Sequence, residues 1–296
     1  MVQVLMSTYN GEKYVKEQID SILAQSYKNI QLLIRDDGST DGTVRILEKY
    51  SEKYANVIYY VGPNVGVQSS FFDLMQKVNK EALYIATSDQ DDVWFPEKIE
   101  VAVKRLEKIT GPGLYCCRPQ LTNAALVPVE DTIRKEQPRV NFGNALIENI
   151  CTGCTMVINR ELHSLTQGKW PKKSVIHDWW FYQVAVCFGE VYYDNEPHIY
   201  YRQHESNVIG LDTNRYQLVK RQVRSLNKFK GKYTAQMKEF IQTFDLEGEN
   251  GYLAQLMVGT RVSYKCRWKI LFNSKIVRQR WTDTILFKGL LFVGWL

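Results

Sequence analysis

The run ALYIATSDQDDVWFP, Ala82 to Pro96, decides how the rest of the chain is read. It opens as a short apolar stretch of strand formers and then sets Asp89, Asp91 and Asp92, within four positions, at the carboxyl end of that strand. Three carboxylates this close repel one another unless a cation sits among them. Hard divalent cations take oxygen ligands and are commonly held by one or two carboxylates together with substrate phosphates. Asp89-Gln90-Asp91 is therefore a candidate D-x-D clamp on a metal-bound nucleotide. The plain alternative is a helix cap followed by solvated charge.

The same pattern recurs upstream. Val2 to Ser7 reads as a buried strand broken by Thr8-Tyr9-Asn10-Gly11, and Ile30 to Ile34 runs into the acidic turn Arg35-Asp36-Asp37-Gly38-Ser39-Thr40-Asp41-Gly42. A third strand, Val57 to Val61, ends in Gly62-Pro63-Asn64-Val65-Gly66. Between these strands lie helices with one apolar stripe each: Val15, Ile19, Ile22 and Leu23; Val44, Leu47 and Tyr54; Phe71, Leu74, Met75 and Val78. After Pro96, Ile99, Ala102, Val103 and Leu106 make another. Strands alternating with amphipathic helices imply an α/β fold with a parallel sheet covered on both faces, in which ligands bind at the carboxyl ends of the strands. All three candidate loops fall on that edge. No G-x-G-x-x-G follows the first strand and no phosphate-loop signature is present, which disfavours a dinucleotide site and a phosphate-loop NTPase.

At 296 residues the chain can bury the core of one large α/β domain with a helical appendix. Val2 to Met6 runs straight into structure with no cleavable signal before it, so a cytoplasmic location is expected. The six cysteines lie mostly in apolar runs, as suits reduced, buried thiols; Cys151-x-x-Cys154 has no second pair to complete a zinc site. Charge is unevenly spread: residues 1–211 carry 22 Lys and Arg against 26 Asp and Glu, a net −4, whereas residues 212–296 carry 16 against 6, a net +10. That asymmetry points to an anionic partner for the tail.

Taken together, VLMSTYNGEKYVKEQIDSILAQSY, IRDDGSTDGT, NVGVQSSF and ATSDQDDVWFPEK resemble the inverting family-2 glycosyltransferases of the GT-A fold. The spelling SDQDDVWFPEK, with HDWW and YRQHESNV downstream, is most similar to bacterial rhamnosyltransferases that build surface polysaccharides. The resemblance covers about residues 2–210. It implies a GT-A catalytic domain over 1–210, with a Rossmann-like mixed, mainly parallel sheet, a donor half to about 110 and an acceptor half from about 111, and a basic helical extension over 211–296. It implies that Ser7, Thr8 and Tyr9 line the nucleotide side of the site and that Asp37 accepts the hydrogen bond of a pyrimidine N3–H, a task for an acceptor-only carboxylate. By the same resemblance Gly66 stands near the diphosphate, Asp89 meets the ribose, Asp91 and His204 ligate Mn²⁺ or Mg²⁺, and Arg202 bonds phosphate oxygens. Asp92 is then a supporting or capping residue.

On the acceptor side the resemblance matches Gly153 and Trp179, and it makes Asp178 the catalytic base. An acceptor hydroxyl attacking an anomeric carbon must lose its proton, and a carboxylate within ~2.6–3.2 Å can take it. The residues alone leave Asp178 open to a capping role before aromatic core residues. The expected activity is transfer of a sugar, with L-rhamnose from dTDP-β-L-rhamnose as the leading donor, onto a hydroxyl of a lipid-linked glycan. A UDP-hexose donor is the alternative within the class, and a non-catalytic scaffold protein with a basic tail the alternative outside it. After residue 210 the pattern is helical. One stripe holds Leu218, Val219, Val223 and Leu226 among bases, a second holds Tyr233, Met237, Phe240, Ile241 and Phe244, and the chain closes on ILFKGLLFVGWL. Twelve residues containing Lys288 are too few for a bilayer span of about 17–25. The tail is expected either to rest on the inner face of the cell membrane or to form a dimer contact, with no nucleic-acid partner.

Overall fold

The computed structural model describes residues 1–129, 136–172, 176–204 and 231–295. Glu205, Ser206 and Asn207 of the YRQHESNV motif and the stripe Leu218, Val219, Val223 and Leu226 lie outside the described residues. The described chain falls into two compact units. The first is drawn from Met1–Gln137, Cys151–Gly168 and Phe188–Gly210, the second from Pro138–Ile150, Lys169–Cys187 and Leu211–Leu296.

The first unit is built on a seven-stranded sheet. Its strands, in chain order, are β1 (Val2–Thr8), β2 (Ile30–Asp36), β3 (Val57–Val61), β4 (Tyr84–Ser88), β6 (Gly113–Cys117), β8 (Val157–Asn159) and β9 (Glu190–Asp194). The spatial order is β3-β2-β1-β4-β8-β6-β9. The first four strands are mutually parallel, as the alternation with helices α1 (Val15–Leu23), α2 (Thr43–Lys53), α3 (Val67–Gln76) and α4 (Lys98–Leu106) requires. The expected stripes are the buried faces: Val15, Ile19 and Ile22 on α1, Phe71, Leu74 and Met75 on α3, and Ile99, Ala102, Val103 and Leu106 on α4. Each such side chain contributes about 1.5–3 kcal/mol on burial.

β8 makes the sheet mixed and mainly parallel, as expected of the fold, running antiparallel to both β4 and β6. Its amino end, a 3₁₀ turn at Gly153–Thr155, therefore meets the carboxyl end of β4: the Thr87 amide donates to Met156 O at 3.1 Å and Thr87 Oγ1 to Gly153 O at 2.5 Å. A second, three-stranded sheet joins β5 (Val93–Trp94), β10 (Ile199–Arg202) and β7 (Gln120–Thr122), with β10 between the other two. Sequence periodicity gave no sign of these short strands. Two residues of β5 cannot display a period, and only pairing with β10 defines them.

The described part of the second unit is helical: α5 (Phe142–Ala145), α7 (His177–Phe188, up to its last residue), α8 (Lys232–Thr243), α9 (Gly248–Gly259), α10 (Tyr264–Leu271) and α11 (Trp281–Phe292); α6 (Arg160–Thr166) belongs to the first unit. Its core is aromatic, with Trp180 edge-on to Phe240 at 5.2 Å, Trp179 edge-on to Tyr233 at 5.3 Å and Tyr233 edge-on to Phe287 at 5.4 Å.

Gly189 marks how tightly the β6–β9 edge closes. A Cβ there would lie 1.9 Å from the Pro112 carbonyl oxygen, the same oxygen that accepts the Glu190 amide at 2.9 Å. Gly189→Ala is expected to lose about 1–3 kcal/mol, read as a lower urea midpoint at unchanged slope. A wild-type midpoint would show that the edge can shift at no cost.

Candidate functional site

The register of the parallel strands brings the candidate loops to one edge. Thr8 pairs with Asp36 and Met6 with Ser88, so the chain leaves β1, β2 and β4 at nearly one level. Asp36, fully buried, fastens the first two loops. It accepts Thr8 Oγ1 at 2.9 Å, Ser39 Oγ at 2.6 Å, and the amides of Ser39 at 2.8 Å and Gly38 at 3.1 Å. Gln90, the middle residue of D-x-D, ties the third loop to the first: its Oε1 accepts the Tyr9 amide at 2.8 Å and its Nε2 donates to Tyr9 O at 3.0 Å. Gly11 is glycine for this reason, since a Cβ would stand 2.2 Å from Gln90 Oε1.

Asp37 is buried among three donors. Arg35 Nη1 reaches Oδ1 at 2.5 Å, the Val65 amide donates to Oδ1 at 2.9 Å and the Gly66 amide to Oδ2 at 2.8 Å. Gly66 has φ 82° and ψ 156°, a region essentially restricted to glycine, and a Cβ there would meet nothing within 4 Å. Backbone conformation, rather than crowding, demands the glycine in this structure. Neither Asp36 nor Asp37 caps the following helix; α2 starts at Gly42 with no side-chain cap. Ser7 Oγ bonds Ser70 Oγ at 2.6 Å, Thr8 is buried, and Tyr9 is exposed.

The D-x-D loop is closed from below by β10. Arg202 donates its amide to Asp92 Oδ1 at 3.1 Å, Nε to Asp91 O at 2.8 Å and Nη1 to Ala124 O at 2.5 Å, pairs through Nη2 with Glu17, and lies 4.4 Å over the Tyr14 ring. Two residues on, His204 Nε2 stands 2.8 Å from Asp91 Oδ2, its ring 5.0 Å from that of Tyr14. The Asp91 and His204 side chains keep 18 % and 14 % of their surface open, unlike buried Asp36, Asp37 and Asp92. A carboxylate oxygen and an imidazole nitrogen at this separation are a fitting donor pair for a divalent cation such as Mn²⁺.

Behind them Asp92 is buried, and its carboxyl is held well above the usual range by burial and then by the like charges of Asp91 and Asp89. Cys154 is brought in by the reversed β8: one ligand atom each from Asp89, Asp92 and Cys154 lies within 4.8 Å of the others. Burial and these carboxylates push the Cys154 thiol up, which favours its protonated form. All six cysteines are free thiols. Lys98, fully buried on α4, sits 3.5 Å over the Trp94 ring, and burial pushes its pKa down to about 8 against the opposing pull of Cys117, Cys154 and Asp92.

The sequence model described as Glycosyl transferase family 2 matches residues 3–165, which hold all three candidate loops. The chain belongs to glycosyl transferase family 2. It is 31 % identical over 217 residues to the dTDP-rhamnosyl transferase RfbG of Shigella flexneri, covering 69 % of this chain and 73 % of that one. It is 40 % identical over 120 residues to the putative glycosyltransferase EpsE of Bacillus subtilis, 38 % of this chain and 42 % of that one. Among solved structures, S. aureus TarS 1–349 in complex with UDP-GlcNAc superposes with TM-score 0.59 at 15 % identity over 98 % of this chain and 81 % of that one. The mannosyltransferase PcManGT from Pyrobaculum calidifontis, in complex with GDP-Man and Mn²⁺, gives TM-score 0.56 at 16 % identity over 97 % and 73 %. The fold of this family-2 glycosyltransferase is GT-A: a mostly parallel mixed sheet with helices around it, followed by C-terminal helices.

Within the transferase's second unit, Asp178 stands in the first turn of α7, where the helix dipole favours negative charge, and its Oδ1 accepts the Trp179 amide at 2.7 Å. Trp179, buried, donates Nε1 to Ala145 O at 2.7 Å, and Gln183 donates to the same oxygen at 2.9 Å, which fixes the start of α7 against α5. His177 is buried and neutral, its pKa pushed down to about 3 by burial. Gly153 belongs to the first unit, beside β4. Sequence reasoning missed Gln90, Arg35, Lys98 and Cys154. For Arg35, an arginine two residues before an acidic turn was a readable signal, because residues two apart in a strand share a face.

Removing Asp37 takes one of two carboxylate partners from buried Arg35, which keeps Asp73 at 3.1 Å. Asp37→Ala is expected to lose about 1–3 kcal/mol in denaturant unfolding, and Arg35→Met with Asp37→Leu to recover part of it. A single variant as stable as wild type would show that the pair contributes little to the fold.

Proposed function

We propose that this family-2 glycosyltransferase inverts configuration at the transferred sugar, taking L-rhamnose from dTDP-β-L-rhamnose to a hydroxyl of a lipid-linked glycan at the cytoplasmic face of the membrane. The observation that carries the reading is the convergence of three strand-end loops, two of them acidic, on one sheet edge, with the partly open pair Asp91 and His204 at 2.8 Å. The donor assignment rests on the 31 % identity to a dTDP-rhamnosyl transferase. Ser7, Thr8 and Tyr9 at the end of β1, with Asp37, Gly66 and Asp89, form the nucleotide side. Asp37 presents two oxygens already oriented by Arg35 and the loop amides, so it meets a base with little reorganisation. Asp91 and His204 would hold a divalent cation, which supplies charge neutralisation for the departing diphosphate.

Asp178 takes the proton of the acceptor hydroxyl as its oxygen forms the new bond to the anomeric carbon. The bond from that carbon to the diphosphate oxygen breaks with its electron pair leaving on the nucleoside diphosphate. A single displacement inverts the carbon and needs no enzyme nucleophile. The bond of Trp179 to Ala145 O holds the first turn of α7, which carries Asp178. To Gly153 and Trp179 we assign acceptor-side roles. Arg202 acts on the donor through the loop it fastens, since its contacts run to Asp91 O, Asp92 and Glu17.

Asp178→Asn is expected to lower turnover about 10²- to 10⁴-fold while leaving nucleoside-diphosphate affinity unchanged; turnover near wild type removes Asp178 from the role. Asp91→Ala is expected to abolish the metal-dependent part of nucleotide protection against thermal unfolding. A panel of dTDP-, UDP- and GDP-sugars, scored by nucleoside-diphosphate release, tests the donor. Preferential release from a UDP-hexose replaces the rhamnosyl assignment and leaves the Asp178 chemistry in place.

A further inference from the structure

Two short helices of the second unit carry an exposed surface whose composition the transfer reaction does not use. On α10, Tyr264 and Trp268 recur four apart and Phe272 continues the row, with Lys265 and Lys269 adjoining it, all exposed. On α11 the buried face is Thr284, Phe287, Lys288 and Leu291, and Lys288 Nζ ties it to Asn273 O at 2.6 Å. The opposite face shows Trp281, Thr282, Ile285, Leu286 and Gly289, with no charge among them. Trp268 stacks on Phe272 at 5.5 Å and meets Phe292 edge-on at 5.1 Å, which joins the two rows into one patch. Exposure is high where burial would be expected of such residues: Phe272 74 %, Trp281 73 %, Ile285 61 %. Residues 261–295 carry eight Lys and Arg against one Asp; Lys288 is buried, Lys275 and Arg278 pair with Glu249 and Glu148, and Arg261, Lys265, Lys269 and Arg280 are exposed.

We propose that the α10–α11 hairpin docks this protein on the surface of an anionic phospholipid bilayer, with the aromatic and aliphatic side chains at the headgroup boundary and the lysines over acidic headgroups. An apolar face ringed by bases is the pattern of a helix lying in the interface, and indole and phenyl rings favour that depth. The charge selects the occupant. A second copy placed face to face would bring the same exposed bases against themselves, whereas an acidic leaflet attracts each base near it. Nucleic acid would match the charge but not the exposed Ile285, Leu286 and Val293. The hairpin rests on the bilayer rather than crossing it: α11 has 12 residues, and no helix among the described residues is long and apolar enough to span.

The inference stands apart from the glycosyl-transfer reading, because the full chain can be floated with vesicles in the absence of any donor. Wild-type protein is expected to float with vesicles of phosphatidylcholine and phosphatidylglycerol, to remain behind with phosphatidylcholine alone, and to be released by raised salt. Lys265→Gln with Lys269→Gln should lower anionic-vesicle affinity roughly fivefold per charge, and Trp268→Ser with Trp281→Ser should lower it at least as far, with circular dichroism and melting temperature unchanged. Equal flotation on neutral and anionic vesicles, or full binding by both double variants, overturns the proposal. So does an oligomer that dissociates on Trp281→Ser, or salt-sensitive capture of an oligonucleotide, where neither is accompanied by vesicle binding.

Discussion

The structure is organised around a concentration of like charge. Asp36 and Asp37 leave the end of β2 and Asp89, Asp91 and Asp92 the end of β4, the two strands that flank β1, and such a cluster needs opposing charge or hydrogen-bond donors. For four of the five, groups of the chain itself supply it. Arg35 and two loop amides take Asp37, hydroxyls and amides take Asp36, the Arg202 amide takes Asp92 with Lys98 contributing at longer range, and His204 takes Asp91. Because those groups come from β2, α4 and β10, the acidic edge cannot form before distant parts of the chain have packed.

Exposure then divides the carboxylates by task. A buried carboxylate with its acceptors filled is stable only where it is, and transferring its bonds to a ligand would strand the donors it leaves. Asp36 is of this kind, so its function is to hold loops, whereas Asp92 takes the Arg202 amide on Oδ1 and leaves Oδ2 buried without a hydrogen bond among the described residues. Asp91 and His204 keep part of their surface open and meet at 2.8 Å, so a ligand can reach both. Asp37 lies between the two cases, its burial complete but its oxygens preset by Arg35.

What the sequence discloses follows the range of the interaction responsible. The first four strands and their helices were readable because burial imposes a period on local sequence, and the D-x-D run because three carboxylates in four residues are conspicuous. The bonds of Gln90 to Tyr9 and of Arg202 to Asp92 were not, since they join residues 81 and 110 positions apart and leave no periodic mark. Cys154 illustrates the limit. Its place among Asp89 and Asp92 depends on β8 running against β4, and a three-residue strand states no direction. Had β8 been parallel, its amino end would lie at the far edge and the thiol with it.

Arg202 shows why the loop needs an arginine rather than any cation. Its backbone and guanidinium address Asp92, Asp91 O, Ala124 O and Glu17 from one position while its face covers Tyr14, a set of directions fixed by a planar fork. A lysine would supply one charge without the fork, and the carbonyl of Asp91 and the carboxylate of Glu17 would compete for it. The β5–β10 pairing sets Ile199 against Trp94 and Tyr200 against Val93, so the strand delivers Arg202 beneath Asp92 and, two residues later, His204 beside Asp91. The geometry of the candidate metal pair is therefore inherited from strand register: a slip of one residue along β10 would turn Arg202 to the opposite face and separate His204 from Asp91.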